Sequence, residues 1–300
     1  MSFYDPENFS DTFAIEYEKK HRILQPVWEL IIDGREDVLR SPLFPPMLGV
    51  VFYLLATIPF TIIDVCFQHI KYVQSLKLQP KREVTWPMIR NSLLNAFWNH
   101  ILFIFPMALV QLIWVPPTPL PPVAPTLFQF VWHQIAFFVL FDFEYWAWHA
   151  LHHKVRFLYR WCHSVHHQYH APFALVTQYL HPWELLSVGL GISITPWFFK
   201  PHCLTYWSWF CLANWVSIEV HCGYDLPWAA HNWIPLYGGA PSHDLHHNRP
   251  LTNFGPWLNL WDRVLGWRLT YKQLDEMKKT RAATIGEYDE NDIVGLKKWN

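Results

Sequence analysis

The sequence predicts an all-α integral membrane protein, a helical bundle with three clear spans and a shorter helical hairpin, under a histidine-rich cap that holds two metal ions. Two observations lead to this prediction. Of the 300 residues, 52% are hydrophobic and only 16% are charged, whereas an ordinary soluble domain carries about 25% charge. The chain also has 18 histidines, many of them in tight clusters. The composition argues against a soluble globular enzyme and against a disordered chain.

The predicted spans are long stretches without a charged side chain. Residues 41–63 contain none, and neither do residues 91–141. About 20 helical residues cross the roughly 30 Å hydrocarbon layer of a bilayer. The proline-rich sequence at 116–125 divides the longer stretch, because proline lacks the N–H group that a continuing helix needs. We therefore predict three spans, at 41–63, 91–115 and 126–148.

A further apolar region runs from Leu185 to Ile218 and is interrupted by Lys200 and Pro201. Each half is short for a full crossing. The sequence leaves two alternatives open, a hairpin of two kinked helices and a re-entrant pair. Both return the chain to the side on which it entered.

The distribution of lysine and arginine predicts the orientation. The segments 64–90 and 149–183 are basic, whereas the turn at 116–125 carries no charge. The two basic segments lie on one side if the three spans cross, and we expect that side to be cytosolic. The N-terminal segment 1–40, with a sequon at Asn8, would then be lumenal. Residues 41–271 form the membrane-embedded domain, and 272–300 form a charged, flexible cytosolic tail.

The histidines are spaced as metal ligands. Residues 149–170 hold seven of them, where average usage predicts about half of one. Residues three or four apart share a helix face, and imidazole is a neutral ligand suited to iron, zinc and copper. Nine ligands exceed what one ion needs, so the arithmetic favours two metals. The nine candidates are His149, His153, His163, His166, His167, His221, His243, His246 and His247.

Other classes of protein fit the sequence less well. A zinc peptidase would carry HExxH, and a haem protein would need one or two axial histidines. Five cysteines without CxxC spacing argue against a zinc ribbon, and a net charge of −1 argues against a nucleic-acid partner. Among the acidic residues we expect Asp142 to orient a ligand, because a carboxylate within a span is costly. The other candidates for this role are Glu144, Glu184, Glu219 and Asp244.

The histidine boxes HALHH, HSVHH, HCGY and HDLHH, with the following NFG and WDRVLGW, resemble the fatty acid hydroxylase/sterol desaturase superfamily. The sequence between the boxes, including WELLSVGL and WVSIEVHCGYDLPW, is most similar to the cholesterol 25-hydroxylase subfamily and its paralogues. This resemblance covers roughly residues 22–267. It implies a di-iron monooxygenase of the endoplasmic reticulum membrane that hydroxylates a sterol, cholesterol at C25, with O2.

The resemblance also implies the partners and the site. Electrons come from NAD(P)H through cytochrome P450 reductase or cytochrome b5. The nine histidines named above become the iron ligands, and Asp142 supports them. His181 matches a histidine common in methylsterol oxidases and is expected next to the ligands or the substrate. The other expected substrate-lining residues are Trp146, Trp148, Phe173 and Trp183.

The chain departs from the superfamily pattern at four places. The spacing in the first box allows His152 to replace His153 as a ligand. Ser242 takes the place of a histidine before the third box, Cys222 stands where serine is commoner, and Trp267 stands where threonine is usual. These departures leave the ligand count open.

Two alternative functions accompany the resemblance. The boxes do not separate hydroxylation from desaturation, so a sterol C4-methyl oxidase or a lipid desaturase is one alternative. A non-catalytic sterol-binding membrane protein is the other. The C-terminal Lys297 and Lys298 look like a dilysine retrieval signal, which agrees with a cytosolic C-terminus in the endoplasmic reticulum.

Overall fold

The computed structural model describes residues 14–113 and 115–285. In these ranges the regular elements are helices, and β-pairing is confined to two isolated bridges. The principal helices are α1 (Gln25–Ile32), α2 (Phe44–Ile62), α3 (Trp86–Asn99), α4 (Leu127–Lys154), α5 (Pro182–Phe199), α6 (Cys203–His221), α7 (Gly239–Asn248) and α8 (Tyr271–Ile285). The predicted all-α class is confirmed.

Shorter helical segments join these helices. Three are π-helical turns, at Ile63–Phe67, His100–Ile104 and Tyr159–His163, and two are 3-10 turns, at Ala174–Gln178 and Ala230–Asn232. The remaining short α-helical segments are Glu36–Arg40, Lys71–Leu76, Phe105–Gln111, Arg156–Leu158, Ser164–His166 and Leu260–Val264.

Two continuous helices among the described residues are long and apolar enough to cross a membrane, Phe44–Phe67 and Trp86–Gln111. They coincide with the first two predicted spans. Most of their side chains are not buried by protein, and Leu55, for example, is 62% exposed. Such outward apolar faces suit contact with lipid. The third predicted span falls on α4, which is long enough but carries Asp142 and other polar residues, so this span stays a prediction.

The N-terminal part of the bundle packs against the proline-rich turn. The Trp28 indole N–H donates to the carbonyl of Pro121 at 2.8 Å. The Gln25 amide donates to the carbonyl of Pro122 and accepts from the N–H of Ala124, at 2.9 and 2.7 Å. Because both side chains are buried, these bonds fix α1 to the turn at one end of the bundle.

The predicted hairpin is present as α5 and α6. Helix α5 ends at Phe199, and the capping residue that follows, Lys200, has a left-handed φ of 48°. The ring of His202, beside this apex, meets Trp28 edge to face at 4.7 Å. With 19 residues, α6 is about 28 Å long. The hairpin therefore extends from the histidine clusters to the end of the bundle that holds α1.

The two predicted basic segments lie together at the other end of the bundle. The N–H of Leu78 donates to the carbonyl of Gly223 at 3.0 Å, and the N–H of Asp225 donates to the carbonyl of Leu76 at 2.8 Å. The Gln79 amide donates to the carbonyl of His170 at 2.9 Å. Both basic segments thus lie next to the histidines, as the topology requires, and the membrane side that this end faces stays a prediction.

The start of the predicted C-terminal tail forms helix α8, and the flexibility expected of the tail stays a prediction. Helix α8 packs on the domain through Leu274, which is buried. The Tyr271 hydroxyl donates to the Asp244 carboxylate on α7. The sequon at Asn8 and the lysine pair at 297–298 lie outside the described residues.

We predict that Gln25→Ala will destabilise the protein by about 2 kcal/mol, because it leaves a buried N–H and a buried carbonyl of the proline-rich turn without partners. Thermal unfolding in detergent micelles measures this change. Val27→Ala, on the exposed side of the same helix, is the matched control. Equal melting temperatures for Gln25→Ala and wild type would contradict the assigned role.

Candidate metal centre

Four structural elements bring the nine candidate histidines together at one end of the bundle. The last turns of α4 carry two of them, and α6 ends on His221. A π-helical turn followed by a short helix carries three, and irregular turns of this kind are common at functional sites. Helix α7 carries the last three. Each of the nine side chains is at most 6% exposed, so the centre is enclosed by protein.

The nine histidines form two groups. Each histidine contributes one ring nitrogen to its group, and within a group these nitrogen atoms all lie within 4.8 Å of one another. The first group has five members, which are His149, His153, His163, His167 and His246. The second has four, which are His166, His221, His243 and His247. The neighbours His166 and His167 therefore serve different groups, and so do His246 and His247.

In the first group the Nε2 atoms face one another. The Nε2 atom of His153 is 3.2 Å from that of His149 and 2.8 Å from that of His163. The Nε2 atom of His167 is 3.2 Å from those of His163 and His246. Such short separations bring several nitrogen lone pairs to one point.

The second group repeats this arrangement. The Nε2 atom of His221 is 3.1 Å from that of His166 and 2.9 Å from that of His243. The Nε2 atom of His247 and the Nδ1 atom of His243 are buried without a hydrogen-bond partner. A buried nitrogen without a partner is costly unless something else binds it.

Backbone carbonyls fix the outer nitrogen of several rings. The Nδ1 atoms of His149, His221 and His246 each lie 2.7 Å from a backbone carbonyl oxygen. A carbonyl can only accept, so Nδ1 carries the proton and the Nε2 lone pair points inward. This is how ligating histidines are held in known metal sites.

The loop at Thr252–Phe254, which overlaps the NFG sequence after the third box, supplies two of these carbonyls. The carbonyls of Thr252 and Phe254 accept from His246 and His149. Between them, Asn253 has a left-handed φ of 54°, a conformation that asparagine tolerates better than most residues. Its side chain donates to the carbonyl of Leu269 and accepts from the N–H of the same residue. The loop is therefore built to hold its carbonyls in place.

One ligand candidate is oriented by a carboxylate. Glu184, in the first turn of α5, lies 2.9 Å from Nδ1 of His163, and both side chains are fully buried. The other Glu184 oxygen has no partner. Carboxylate–imidazole pairs of this kind raise the basicity of the ligand.

The remaining acidic candidates bind elsewhere. Asp142 accepts from the N–H groups of Trp257 and Leu258 at 3.2 and 2.8 Å. These two hydrogen bonds hold the loop at Trp257 and Leu258, and neither reaches a histidine. This corrects the expectation that Asp142 orients a metal ligand. The Glu219 carboxylate accepts from the Tyr237 hydroxyl at 2.6 Å.

His152 lies outside both groups. Its Nδ1 atom is 2.7 Å from the carbonyl of Trp148, and its Nε2 atom accepts from the Trp183 indole N–H at 3.3 Å. The ring stacks on Trp148 at 3.6 Å. Of the two histidines that the first box offered, the structure brings His153 into the centre.

Burial decides the charge of the histidines. It lowers the pKa of His246 to about 3 and that of His221 to about 4, and it holds the pKa of His163 well below its usual range. The rings are therefore neutral at pH 7, which is the form that binds metals. Nine neutral nitrogen donors, without a thiolate, suit first-row transition metals. The donor set fits two such ions, one in each group.

A cavity of about 490 Å³ opens onto the second group at His166, His221 and His243. Its walls come from α2, the Trp86–Gln111 helix, α4, α5 and α6, and they are mainly apolar. The volume is typical of a small-molecule pocket. Tyr53 and Tyr145 also line it.

The five expected substrate-lining residues lie outside this cavity. Trp146 donates to Asp262 at 3.3 Å and stacks on Trp267, and Trp148 stacks on His152. Trp183 donates to His152. These three aromatic rings pack around the centre.

The other two residues also have structural contacts. His181 caps α5, because its Nδ1 atom accepts from the N–H of Trp183 at 3.1 Å. Phe173 is buried in the apolar core between α2 and α6. The structure brings none of the five residues to this cavity, and their contact with a substrate stays a prediction.

A helical fold with a buried centre of histidines and an adjoining apolar cavity defines a class of membrane-associated metal proteins. The fatty acid hydroxylase family model matches residues 134–267, which contain all nine histidines. The chain belongs to this family.

Three relatives show which members of the family the chain is similar to. A cholesterol 25-hydroxylase-like protein of Caenorhabditis elegans is 49% identical over all 300 residues, covering both chains completely. Cholesterol 25-hydroxylase-like protein 2 of Danio rerio is 46% identical over 81% of this chain and 88% of its own. The cholesterol 25-hydroxylase of Homo sapiens is 36% identical over 81% of this chain and 89% of its own. No solved structure matches.

We predict that Glu184→Gln will weaken metal binding by the first group about 10- to 100-fold, because His163 loses its carboxylate partner. Titration of the metal-depleted protein with Fe²⁺ measures this affinity. Glu219→Gln is the matched control, since this buried glutamate contacts Tyr237 instead of a histidine. Equal affinities in the two variants would contradict the role of Glu184.

We also predict that His153→Ala will lower the iron content to about one ion per chain, whereas His152→Ala will retain two. The reason is that only His153 of this pair faces the first group. Metal analysis of the purified variants distinguishes the two residues. The reverse result would show that the first box uses His152.

Proposed function

We propose that the chain is a di-iron monooxygenase that hydroxylates a sterol, with cholesterol at C25 as the substrate and 25-hydroxycholesterol as the product. The observation that carries this proposal is the apolar cavity that ends on three histidines of the centre. The family of the chain and the names of its relatives support a hydroxylase.

The overall reaction needs more than the protein. Hydroxylation consumes a C–H bond, O2, two electrons and two protons, and it gives a C–OH group and water. When bound, two irons would supply the activation of O2 that lets an unactivated C–H bond react. We propose that the electrons come from NAD(P)H through cytochrome P450 reductase or cytochrome b5.

The side chains of the protein have three tasks in this proposal. The five histidines of the first group would hold one iron and the four of the second group the other. The carbonyls at Nδ1 of His149, His221 and His246 and the Glu184 carboxylate at His163 keep these imidazoles in the tautomer that binds metal. The apolar walls exclude water from the reacting end of the substrate and fix its position.

The shape of the cavity favours an elongated lipid. It is lined by apolar side chains on five helices, including Leu186, Leu190 and Phe210. A sterol with its aliphatic side chain has this character, and C25 lies near the tip of that chain. A cavity that ends at the metal centre would bring the tip to the histidines.

The cellular setting follows from the same features. Two apolar helices favour a membrane protein, and the basic segments at the histidine end favour a cytosolic position for the centre. We propose a multi-pass protein of the endoplasmic reticulum membrane with its C-terminus in the cytosol. In this orientation a cytosolic reductase or cytochrome b5 domain can reach the centre.

The test is reconstitution of the purified chain with Fe²⁺ under anaerobic conditions, followed by a reductase, NADPH, cholesterol and O2. Mass spectrometry is expected to detect 25-hydroxycholesterol. The double variant His166→Ala/His167→Ala, which removes one ligand from each group, is expected to give no product.

Other products would indicate one of the alternative functions. Oxidation at the C4 methyl group of a methylated sterol would indicate a C4-methyl oxidase, and a new double bond would indicate a desaturase. Sterol binding without oxidation would indicate a binding protein. Sterol oxidation by the metal-free double variant would contradict the di-iron proposal.

A further inference from the structure

The cavity is long in one direction. Along α6 its lining residues include Tyr206, Phe210, Asn214, Ser217 and His221. Tyr206 and His221 are 15 positions apart, so this wall is about 22 Å long. One end of the cavity therefore lies at the histidine centre and the other near the apex of the α5–α6 hairpin.

The far end of the cavity has its own polar groups. Gln111, at the end of the Trp86–Gln111 helix, and Tyr206, near the start of α6, line it together with Pro45 and Pro46 of the first turn of α2. Apolar residues, including Ile104, Ala108 and Phe210, occupy the wall between this end and the histidines. The cavity thus has polar groups at its far end and apolar residues along its walls, with further polar residues such as Asn214 and Ser217 on the way to the histidines.

The Tyr206 hydroxyl gives the far end of the cavity a group that can bind a ligand. Tyr206 lines the cavity, and the Ser193 hydroxyl, which also lines it, donates to the carbonyl of Gly189 at 3.0 Å. A phenolic hydroxyl can both donate and accept a hydrogen bond, so it can pair with the O–H group of a ligand.

We propose that the cavity takes a 3-hydroxysterol in one orientation, with its hydroxyl group at Tyr206 and its hydrocarbon tail at His166, His221 and His243. This inference rests on the proposed function and adds the residue that recognises the polar end of the substrate. Tyr206 acts here as a specificity-determining residue, about 22 Å from the centre along α6.

Desolvation gives the reason for this orientation. A hydroxyl group buried in an apolar channel is unfavourable unless it forms a hydrogen bond. In the opposite orientation the aliphatic tail would lie against Tyr206 and Gln111, and both polar groups would lose water without gaining a partner. The orientation with the hydroxyl at Tyr206 gives the substrate hydroxyl a hydrogen-bond partner and brings the tail to the histidines, where the proposed oxidation takes place.

The first test is the variant Tyr206→Phe, which keeps the ring and removes the hydroxyl. With cholesterol as substrate, we expect KM to rise roughly 5-fold, the loss typical of one hydrogen bond, with kcat unchanged. With a cholestene that lacks the 3-hydroxyl group, wild type and Tyr206→Phe should have equal KM. Tyr72→Phe, an exposed tyrosine outside the cavity, is the control.

Two kinetic results would overturn the proposal. An unchanged KM for cholesterol in Tyr206→Phe would exclude recognition by this hydroxyl. An equal loss on both sterols would show that the variant only damages the packing of the cavity.

The second test reads the orientation without catalysis. The full-length protein in lipid nanodiscs is photolabelled with two cholesterol probes, one with a diazirine on the ring system and one with a diazirine at the end of the side chain. The ring probe is expected to label residues near Ser193 and Tyr206, and the side-chain probe residues near Ser217. The reversed pattern would overturn the proposal.

The two tests separate this inference from the proposed function. Labelling in the expected pattern by a protein that oxidises no sterol would support the orientation and contradict the monooxygenase proposal. Oxidation at C25 together with the reversed pattern would do the opposite. Absence of specific labelling by either probe would contradict the sterol orientation.

Discussion

The structure depends on the need to bring the lone pairs of nine neutral imidazoles to two points inside the protein. Nitrogen atoms of different rings lie as close as 2.8 Å, and when the lone pairs of both nitrogens point at one another the arrangement is unfavourable unless a cation binds them. The outer nitrogen of a ring must also be held, since otherwise the ring could turn its lone pair away. The carbonyls of Thr252, Phe254 and Ser217 and the carboxylate of Glu184 hold four of the nine rings in this way.

This constraint explains polar residues that do not touch the histidines. Asp142 holds the backbone of Trp257 and Leu258, and Asp262 accepts from the N–H of Gly255 at 2.7 Å. These three hydrogen bonds fix the loop at residues 255–258, which directly follows the residues whose carbonyls hold His246 and His149. A carboxylate within α4 therefore supports the centre through the loop, although it binds no imidazole. The same end of the bundle is tied to α8 through Tyr271 and Asp244.

The sequence predicts those parts of the site that follow from local geometry. Spacings of three and four residues placed the histidines on shared helix faces, and all nine lie in the centre. The division of adjacent pairs between two groups could not be predicted, because neighbouring residues on a helix point about 100° apart and the partner elements decide which group each one meets. The lining of the cavity was not predictable for a similar reason. It is assembled from five helices, so the sequence alone does not show which residues face it, and Trp146, Phe173 and the other expected lining residues lie outside it.

The central claim is that the nine histidines hold two irons in separate, nitrogen-rich environments. Mössbauer spectroscopy of the protein loaded with ⁵⁷Fe²⁺, combined with iron analysis per chain, tests it most directly. The account predicts two irons per chain and two resolved ferrous sites of similar occupancy, one with five histidine ligands and one with four. A single iron per chain, or one shared site, would contradict it.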